Sequence, residues 1–97
     1  MKTIHPGEKI EKVPTLIRKT ARDIAGAFYE GNRSDTFRKN YPDQYVYIEL
    51  QWPAFVATAR EILTDMLGNG SVSDHEKEEI YNALIAWREN ATAINLH

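Results

Sequence analysis

The side chains best suited to chemistry cluster at the start of a predicted helix and are Asp74, His75, Glu76, Glu78 and Glu79. His75 and Glu79 share one face of that helix, at positions i and i+4. A transition-metal site needs three or more converging ligands held by supporting hydrogen bonds, and the two other histidines, His5 and His97, lie far from this cluster in the sequence. An acidic first turn is favourable by itself, because it lies at the positive end of the helix dipole. We therefore expect a solvated helix start here, with no metal and no cofactor.

Catalytic groups of other kinds are sparse. Glu61 and Asp65 form an i, i+4 carboxylate pair that could divide acid and base roles if it were desolvated, but an exposed helix surface is the simpler interpretation. The three serines fall at predicted cap or loop positions, and none lies in a G-x-S-x-G elbow. The absence of cysteine excludes a thiolate nucleophile, a disulfide and a cysteine-based zinc site. The sequence thus indicates a protein that is not an enzyme.

A more informative group lies in the segment YPDQYVYIELQWP, residues 41–53, which holds three of the five tyrosines and one of the two tryptophans. Tyrosine, tryptophan and arginine are the residues most enriched at the energetic centres of protein interfaces. Neither a helix nor a strand can turn all of these rings inward, so some should be exposed, although tyrosines can also cover the end of a bundle with the ring in and the hydroxyl out. The predicted partner-binding residues are Arg33, Arg38, Lys39, Tyr41, Tyr45, Tyr47 and Trp52.

The uneven distribution of charge raises an alternative. Residues 1–45 carry nine Lys or Arg against six Asp or Glu, whereas residues 46–97 carry three against eight. Arg18, Lys19 and Arg22 lie on the predicted outer side of the first helix, and cations near tyrosines are what single-stranded nucleic acid requires. The isoelectric point of about 5.9 argues against duplex binding. Nucleic-acid binding through the basic N-terminal half is therefore the second hypothesis, and a homodimer that closes the aromatic patch on itself is the third.

Hydrophobic periodicity predicts three long helices near residues 14–29, 53–67 and 73–91. Their apolar stripes are Ile17, Ala21, Ile24 and Phe28 in the first helix, Phe55, Ala59, Ile62, Leu63 and Met66 in the second, and Ile80, Leu84, Trp87 and Ala91 in the third. We place the aromatic residues of these stripes in the core. Gly31-Asn32 should end the first helix in a left-handed conformation, and Ser73 with Glu76 should form a capping box at the start of the third.

Residues 45–50 are ambiguous. Val46, Ile48 and Leu50 alternate with more polar neighbours, as in a strand whose evident partner would be an N-terminal hairpin. Pro42 and Asp43 compete with that pattern, because both are typical of a helix start. We favour a short helix here and another from Ser34. The fold class is then all-α, and the alternative is an α+β domain with a short strand at 45–50 paired to an N-terminal hairpin.

The chain of 97 residues suits one domain, residues 1–97, of which residues 1–12 form a loosely structured segment. The sequence has no apolar run of the ~18 residues that a membrane span needs and no apolar leader, so we expect a cytoplasmic protein without membrane contact. We predict a small all-α bundle of three long helices plus one or two short ones, acting as a non-catalytic protein-binding module. Its size, charge split and lack of cysteine suit an adaptor, or an inhibitor of a larger complex encoded by a phage or mobile element.

Overall fold

The structure, a computed structural model, describes residues 12–70 and 72–95 of the chain, with side chains described through residue 89. The elements are α1 (Thr15–Gly31), α2 (Asp35–Asn40), α3 (Gln44–Gln51), a 3-10 turn (Trp52–Phe55), α4 (Val56–Asn69) and α5 (Asp74–Asn95). The all-α prediction is confirmed, because residues 12–70 and 72–95 contain no strand. The alternative strand at 45–50 is wrong, and its predicted hairpin partner and residues 1–11 of the predicted loose segment lie outside the described residues.

A cap explains why residues 45–50 are helical despite their alternating pattern. One carboxylate oxygen of Asp43 accepts hydrogen bonds from the backbone N–H groups of Tyr45 at 2.8 Å and Val46 at 3.2 Å. Two N–H groups that a helix start would leave unpaired are thereby satisfied. At the other end Pro53 has no N–H with which to continue α-helical bonding, and the chain passes through the 3-10 turn into α4.

The other helix ends follow their sequence signals with one exception. The Ser34 hydroxyl accepts a hydrogen bond from the N–H three residues on at 3.0 Å and caps α2. The predicted capping box is confirmed, since Ser73 accepts from the Glu76 N–H at 3.2 Å and the Glu76 carboxylate accepts from the Ser73 N–H at 2.9 Å. Gly70 follows α4 in the left-handed conformation, with φ of 71°. Asn32, after α1, is extended with φ of −101°, so the expected left-handed stop at that end is wrong.

Helix α1 lies at the centre of the fold and packs against α3, the 3-10 turn, α4 and α5. Its buried residues, Ile17, Ala21, Ala25 and Tyr29, are spaced by four and form one ridge. The small side chains of Ala21 and Ala25 are fully buried and allow neighbouring elements to approach closely. The predicted stripe is therefore correct at Ile17 and Ala21 but wrong at Phe28, which is 48% exposed.

Helices α4 and α5 are consecutive and pack against each other and against α1. Their buried residues are Val56, Ala59, Leu63, Ile80 and Ala83. Phe55 and Trp87, both expected in the core, are half-buried and pack against it. Ile62 was expected in the apolar stripe of α4, but it is 40% exposed because it lies beyond the stripe that faces α1 and α5.

The molecule is a slab of 42 × 39 × 15 Å, about two helix layers thick. Its radius of gyration is 15.2 Å, compared with about 12.5 Å for a compact chain of this length. A slab buries less of its surface than a sphere of the same volume. The outer sides of α3 and α5 belong to the surface that this shape leaves uncovered.

Gly26 marks a close approach of α3 to α1 and generates a prediction about stability. A Cβ atom at Gly26 would already be in van der Waals contact with Cδ1 of Ile48, at 3.4 Å. The further carbons of a leucine would have to displace Ile48, so Gly26→Leu should push α3 away and lower the free energy of unfolding by roughly 1–3 kcal/mol. Gly68→Leu is the matched control, because a Cβ atom there meets nothing within 4 Å. Its gain in helix propensity should raise stability by up to about 1 kcal/mol. Urea unfolding followed by circular dichroism measures both variants, and equal effects would contradict a tight contact at Gly26.

Candidate functional site

Five aromatic rings at one end of the molecule contact one another and form what we call the aromatic cluster: Phe28, Tyr29, Phe37, Tyr41 and Tyr47. Tyr47 lies at its centre and contacts all four other rings, with ring centroids 5.0 Å from Tyr41 and 6.3 Å from Phe28. Tyr47 is only 5% exposed. The cluster joins α1, α2 and α3, so these rings hold the three helices in their relative positions.

Two of the predicted partner-binding residues belong to the core. Tyr47 is the centre of the aromatic cluster, and Trp52 is 4% exposed at the start of the 3-10 turn. The guanidinium of Arg18 lies 5.7 Å from the centroid of the Trp52 ring. The prediction that Tyr47 and Trp52 form part of a contact surface is therefore corrected: α3 turns Tyr47 inward, and the 3-10 turn directs Trp52 towards the core.

A third predicted residue, Arg38, is bound to the end of α1. Its Nη2 donates a hydrogen bond to the carbonyl of Tyr29 at 2.8 Å, and its Nε donates to the carbonyl of Asn32 at 3.0 Å. The same guanidinium lies 4.2 Å from the centroid of the Tyr29 ring. A cation at a helix C-terminus satisfies unpaired carbonyls and interacts favourably with the helix dipole. Arg38 therefore stabilises the end of α1, where a left-handed residue was expected, and its side chain is half-buried.

The remaining predicted residues lie at or near the surface. Arg33 and Lys39 are exposed, Tyr45 is 65% exposed, and Tyr41 is half-buried within the cluster. The backbone carbonyl of Tyr41 accepts a hydrogen bond from the Tyr29 hydroxyl at 2.7 Å. The structure thus leaves Arg33, Lys39 and Tyr45, together with part of Tyr41, accessible to a partner.

The outer side of α3 is apolar, a feature that the sequence analysis missed. The exposed residues of α3 are Tyr45, Val46, Glu49 and Leu50, of which Val46 is 48% exposed and Leu50 is 64% exposed. The carboxylate of Glu49 pairs with Arg22 of α1 at 2.7 Å, so the one charge on this side has a partner. The i, i+4 spacing of Val46 and Leu50 was a usable signal, because it places both on one side of a helix.

Phe28 extends this apolar surface from α3 onto α1. Its ring stacks on that of Tyr47 at 6.3 Å, which places this exposed ring of α1 beside α3. The ring centroids of Phe28 and Phe55 are 5.8 Å apart, so Phe28 packs on two rings of the fold while remaining 48% exposed. We call the exposed residues Phe28, Tyr45, Val46 and Leu50 the α3 face.

The cations of the nucleic-acid hypothesis divide into two groups. Arg18 lies against Trp52, Arg22 pairs with Glu49, and Arg38 binds the end of α1. Lys19, Arg33 and Lys39 are exposed. Half of the basic residues expected on the surface therefore make internal contacts, which leaves a sparser positive surface than the sequence suggested.

The groups considered for catalysis or metal binding are exposed or isolated. His75 Nε2 lies 3.4 Å from a carboxylate oxygen of Glu79, and both side chains are largely exposed. Within residues 12–70 and 72–95 there is no group of three His, Cys, Asp or Glu placed to hold a metal ion. Glu61 and Asp65 line a groove of about 700 Å³ between α4 and α5. None of the helices described is both long and apolar enough to cross a bilayer.

The contacts of Arg38 predict a structural effect. Arg38→Ala removes two charge-assisted hydrogen bonds and should lower the free energy of unfolding by roughly 1.5–3 kcal/mol. Arg38→Lys should restore less than half of that loss, because one ammonium lacks the planar fork of a guanidinium. Lys39→Ala, at an exposed neighbour, is the control and should change stability by no more than about 0.5 kcal/mol. Urea unfolding measures all three, and an Arg38→Ala protein as stable as the control would contradict this role.

The position of Tyr47 predicts a loss of stability at alkaline pH. Burial, and to a lesser extent the neighbouring Tyr41, raises the pKa of Tyr47 above its usual value of 10.0. The unfolded chain therefore loses this proton more readily than the folded protein, so the contribution of Tyr47 is complete below pH 10 and declines as the pH rises beyond it. Tyr47→Phe should reduce the fall in melting temperature between neutral pH and about pH 11. Tyr45→Phe, at an exposed ring, should leave that fall unchanged, and equal profiles for the two variants would contradict the prediction.

Comparisons of the chain with protein-family models, with curated proteins and with solved structures found no match.

Proposed function

We propose that this chain is a non-catalytic protein-binding module whose partner binds the α3 face. The observation that carries the proposal is the exposure of three apolar side chains of α3, Tyr45 at 65%, Val46 at 48% and Leu50 at 64%, together with Phe28 of α1 at 48%, whose ring contacts α3 at Tyr47. Single apolar residues are common on protein surfaces, but adjoining ones mark interaction sites. The ion pair between Glu49 and Arg22 supports the same interpretation. A paired carboxylate loses less free energy than an unpaired one when a partner covers the outer side of α3 and removes it from water.

The support beneath the α3 face also favours binding. Phe28 lies on Tyr47 and Phe55, and α3 is fixed at its start by Asp43. The Gln44 side chain donates a hydrogen bond to the carbonyl of Gly26 at 3.3 Å, a further tie between α3 and α1. A surface that is ordered before binding loses less conformational entropy when a partner covers it. The α3 face is therefore suited to a partner that presents a complementary apolar surface.

Charge near the α3 face defines the chemistry of the partner further. Arg33 and Lys39 are exposed on the segment that connects α1 to α3, next to the aromatic cluster. A polar rim around an apolar centre is the usual anatomy of a protein interface. The partner we propose is thus a protein with an apolar contact surface bordered by carboxylates. In cellular terms the chain acts in the cytoplasm as an adaptor, or as an inhibitor of a larger complex of the kind that phages and mobile elements encode.

Capture of partners from lysate of the source organism tests the proposal when the α3 face is varied. Leu50→Asp places a charge in the centre of the face and should weaken capture of the principal protein at least about tenfold, a loss of about 1.4 kcal/mol. Ile62→Asp is the matched control, because Ile62 is an aliphatic residue 40% exposed on α4. Circular dichroism and urea unfolding of both variants verify that the fold is kept.

Two outcomes would overturn the proposed function. The first is a protein captured equally by wild type, Leu50→Asp and Ile62→Asp, which would place the contact elsewhere. The second is recovery of nucleic acid together with a mobility shift that weakens steeply with salt, because phosphate contacts impose that dependence. Retained capture by Ile62→Asp with loss in Leu50→Asp supports the proposal.

A further inference from the structure

The outer side of α5 carries a second stripe of residues that the proposed function does not use. Ile80 and Ala83 are the buried residues of this helix, whereas Tyr81 is 58% exposed. Around Tyr81 the same side carries Lys77, Glu78, Ile85, Arg88 and Glu89, at helical spacings of three and four. The groove between α4 and α5 runs beside this stripe and is lined by Tyr81, Leu84, Ile85, Trp87 and Arg88 from α5.

The order of residues in this stripe is mirrored about Ala83. Two residues before and after Ala83 lie the apolar Tyr81 and Ile85. The residues five before and five after are Glu78 and Arg88, and those six before and six after are Lys77 and Glu89. Each of these three mirrored pairs therefore joins either two apolar side chains or two opposite charges.

This order is what an antiparallel pair of identical helices requires. In a pair related by a twofold axis, a residue lies opposite the residue equally distant from the axis on the other side. An axis at the level of Ala83 places Tyr81 of each copy opposite Ile85 of the other. It also places Glu78 opposite Arg88 twice, and Lys77 opposite Glu89 twice. In this register every charged residue of the stripe lies opposite a residue of opposite charge, so the two copies attract each other.

We propose that this surface binds a second copy of the chain, with α5 packed antiparallel against α5 of the other copy. None of the four charged residues forms an ion pair with another described residue, the ion pairs there being Arg22–Glu49 and His75–Glu79. They are accordingly available to pair between copies.

The groove between α4 and α5 can accept side chains of such a helix. Its volume is about 700 Å³, and its walls include Arg60, Glu61 and Asp65 of α4. The guanidinium of Arg60 lies 5.2 Å from the centroid of the Trp87 ring, so these two lining residues contact each other across the groove. Side chains from the α5 of a second copy would lie between these walls, so α4 and α5 of the two copies form a four-helix arrangement with an apolar centre and charged flanks.

This inference uses a surface other than the α3 face and goes beyond the proposed function. Self-association of α5 and binding of a different protein by α3 can each occur without the other. Variants on α5 therefore test the inference alone, and variants on α3 test the proposed function alone.

Sedimentation equilibrium of the purified full chain over a range of concentrations tests the inference. The wild type should show a reversible monomer–dimer equilibrium. Arg88→Glu places two carboxylates opposite each other at both ends of the pair and should raise the dimer dissociation constant at least about tenfold. The double variant Glu78→Arg with Arg88→Glu exchanges the charges and should return the constant towards that of the wild type. Lys19→Glu also replaces a cation by a carboxylate, at an exposed position of α1 that belongs to neither proposed surface, and is the matched control.

The rescue by the double variant distinguishes the paired register from a general effect of charge or folding. A chain that stays monomeric up to its solubility limit would overturn the inference. So would an Arg88→Glu dimer as stable as the Lys19→Glu dimer, or a double variant no better than Arg88→Glu alone. A dimer weakened by Leu50→Asp and unaffected by Arg88→Glu would place self-association on the α3 face and would also overturn it.

Discussion

Burial of the Tyr47 ring is the interaction on which the rest of this structure depends. The ring contacts Phe28, Tyr29, Phe37 and Tyr41, and so connects the three helices that precede the 3-10 turn. Burial of a tyrosine removes on the order of 150–250 Å² from water, worth about 4–6 kcal/mol before entropy is counted. Because α3 is a helix with Tyr47 on its inner side, Val46 and Leu50 are turned outward. The position of one ring thereby determines which apolar residues are left for a partner.

The small core explains why apolar surface remains on both α3 and α5. Four of the buried residues are alanines, Ala21, Ala25, Ala59 and Ala83, which allow close approach of helices but bury little area each. The fold extends over a slab 15 Å thick instead of closing around a centre. A chain of this size buries a limited fraction of its surface in any case. Apolar residues in excess of this core therefore lie outside, where a second protein or a second copy can cover them.

The elements of the fold were predictable from local signals, whereas the sides that the helices bury were not. The caps at Ser34 and Ser73 are formed by residues close in sequence, and both were predicted correctly. The inner side of α1 depends on what packs against it, and the alternatives ending in Phe28 or in Tyr29 are equally periodic. Arg38 reached the end of α1 through a contact nine residues apart, which residue type and spacing do not specify. The segment rich in aromatic residues was recognisable from the sequence, but the burial of Tyr47 and Trp52 and the contacts of Arg38 required tertiary structure.

The excess of positive charge in the first half of the chain has a structural explanation. Arg22 of α1 neutralises Glu49 of α3, Arg38 of α2 closes the end of α1, and Arg18 lies on the ring of Trp52. Each of these cations connects two elements, so the basic residues of the N-terminal half act largely within the fold. The acidic excess of the second half lies largely on α5, where Glu78 is mirrored by Arg88 and Glu89 by Lys77. Three of the six cations considered for nucleic-acid binding are therefore used within the fold, and the exposed ones, Lys19, Arg33 and Lys39, form a sparser positive surface than the sequence suggested.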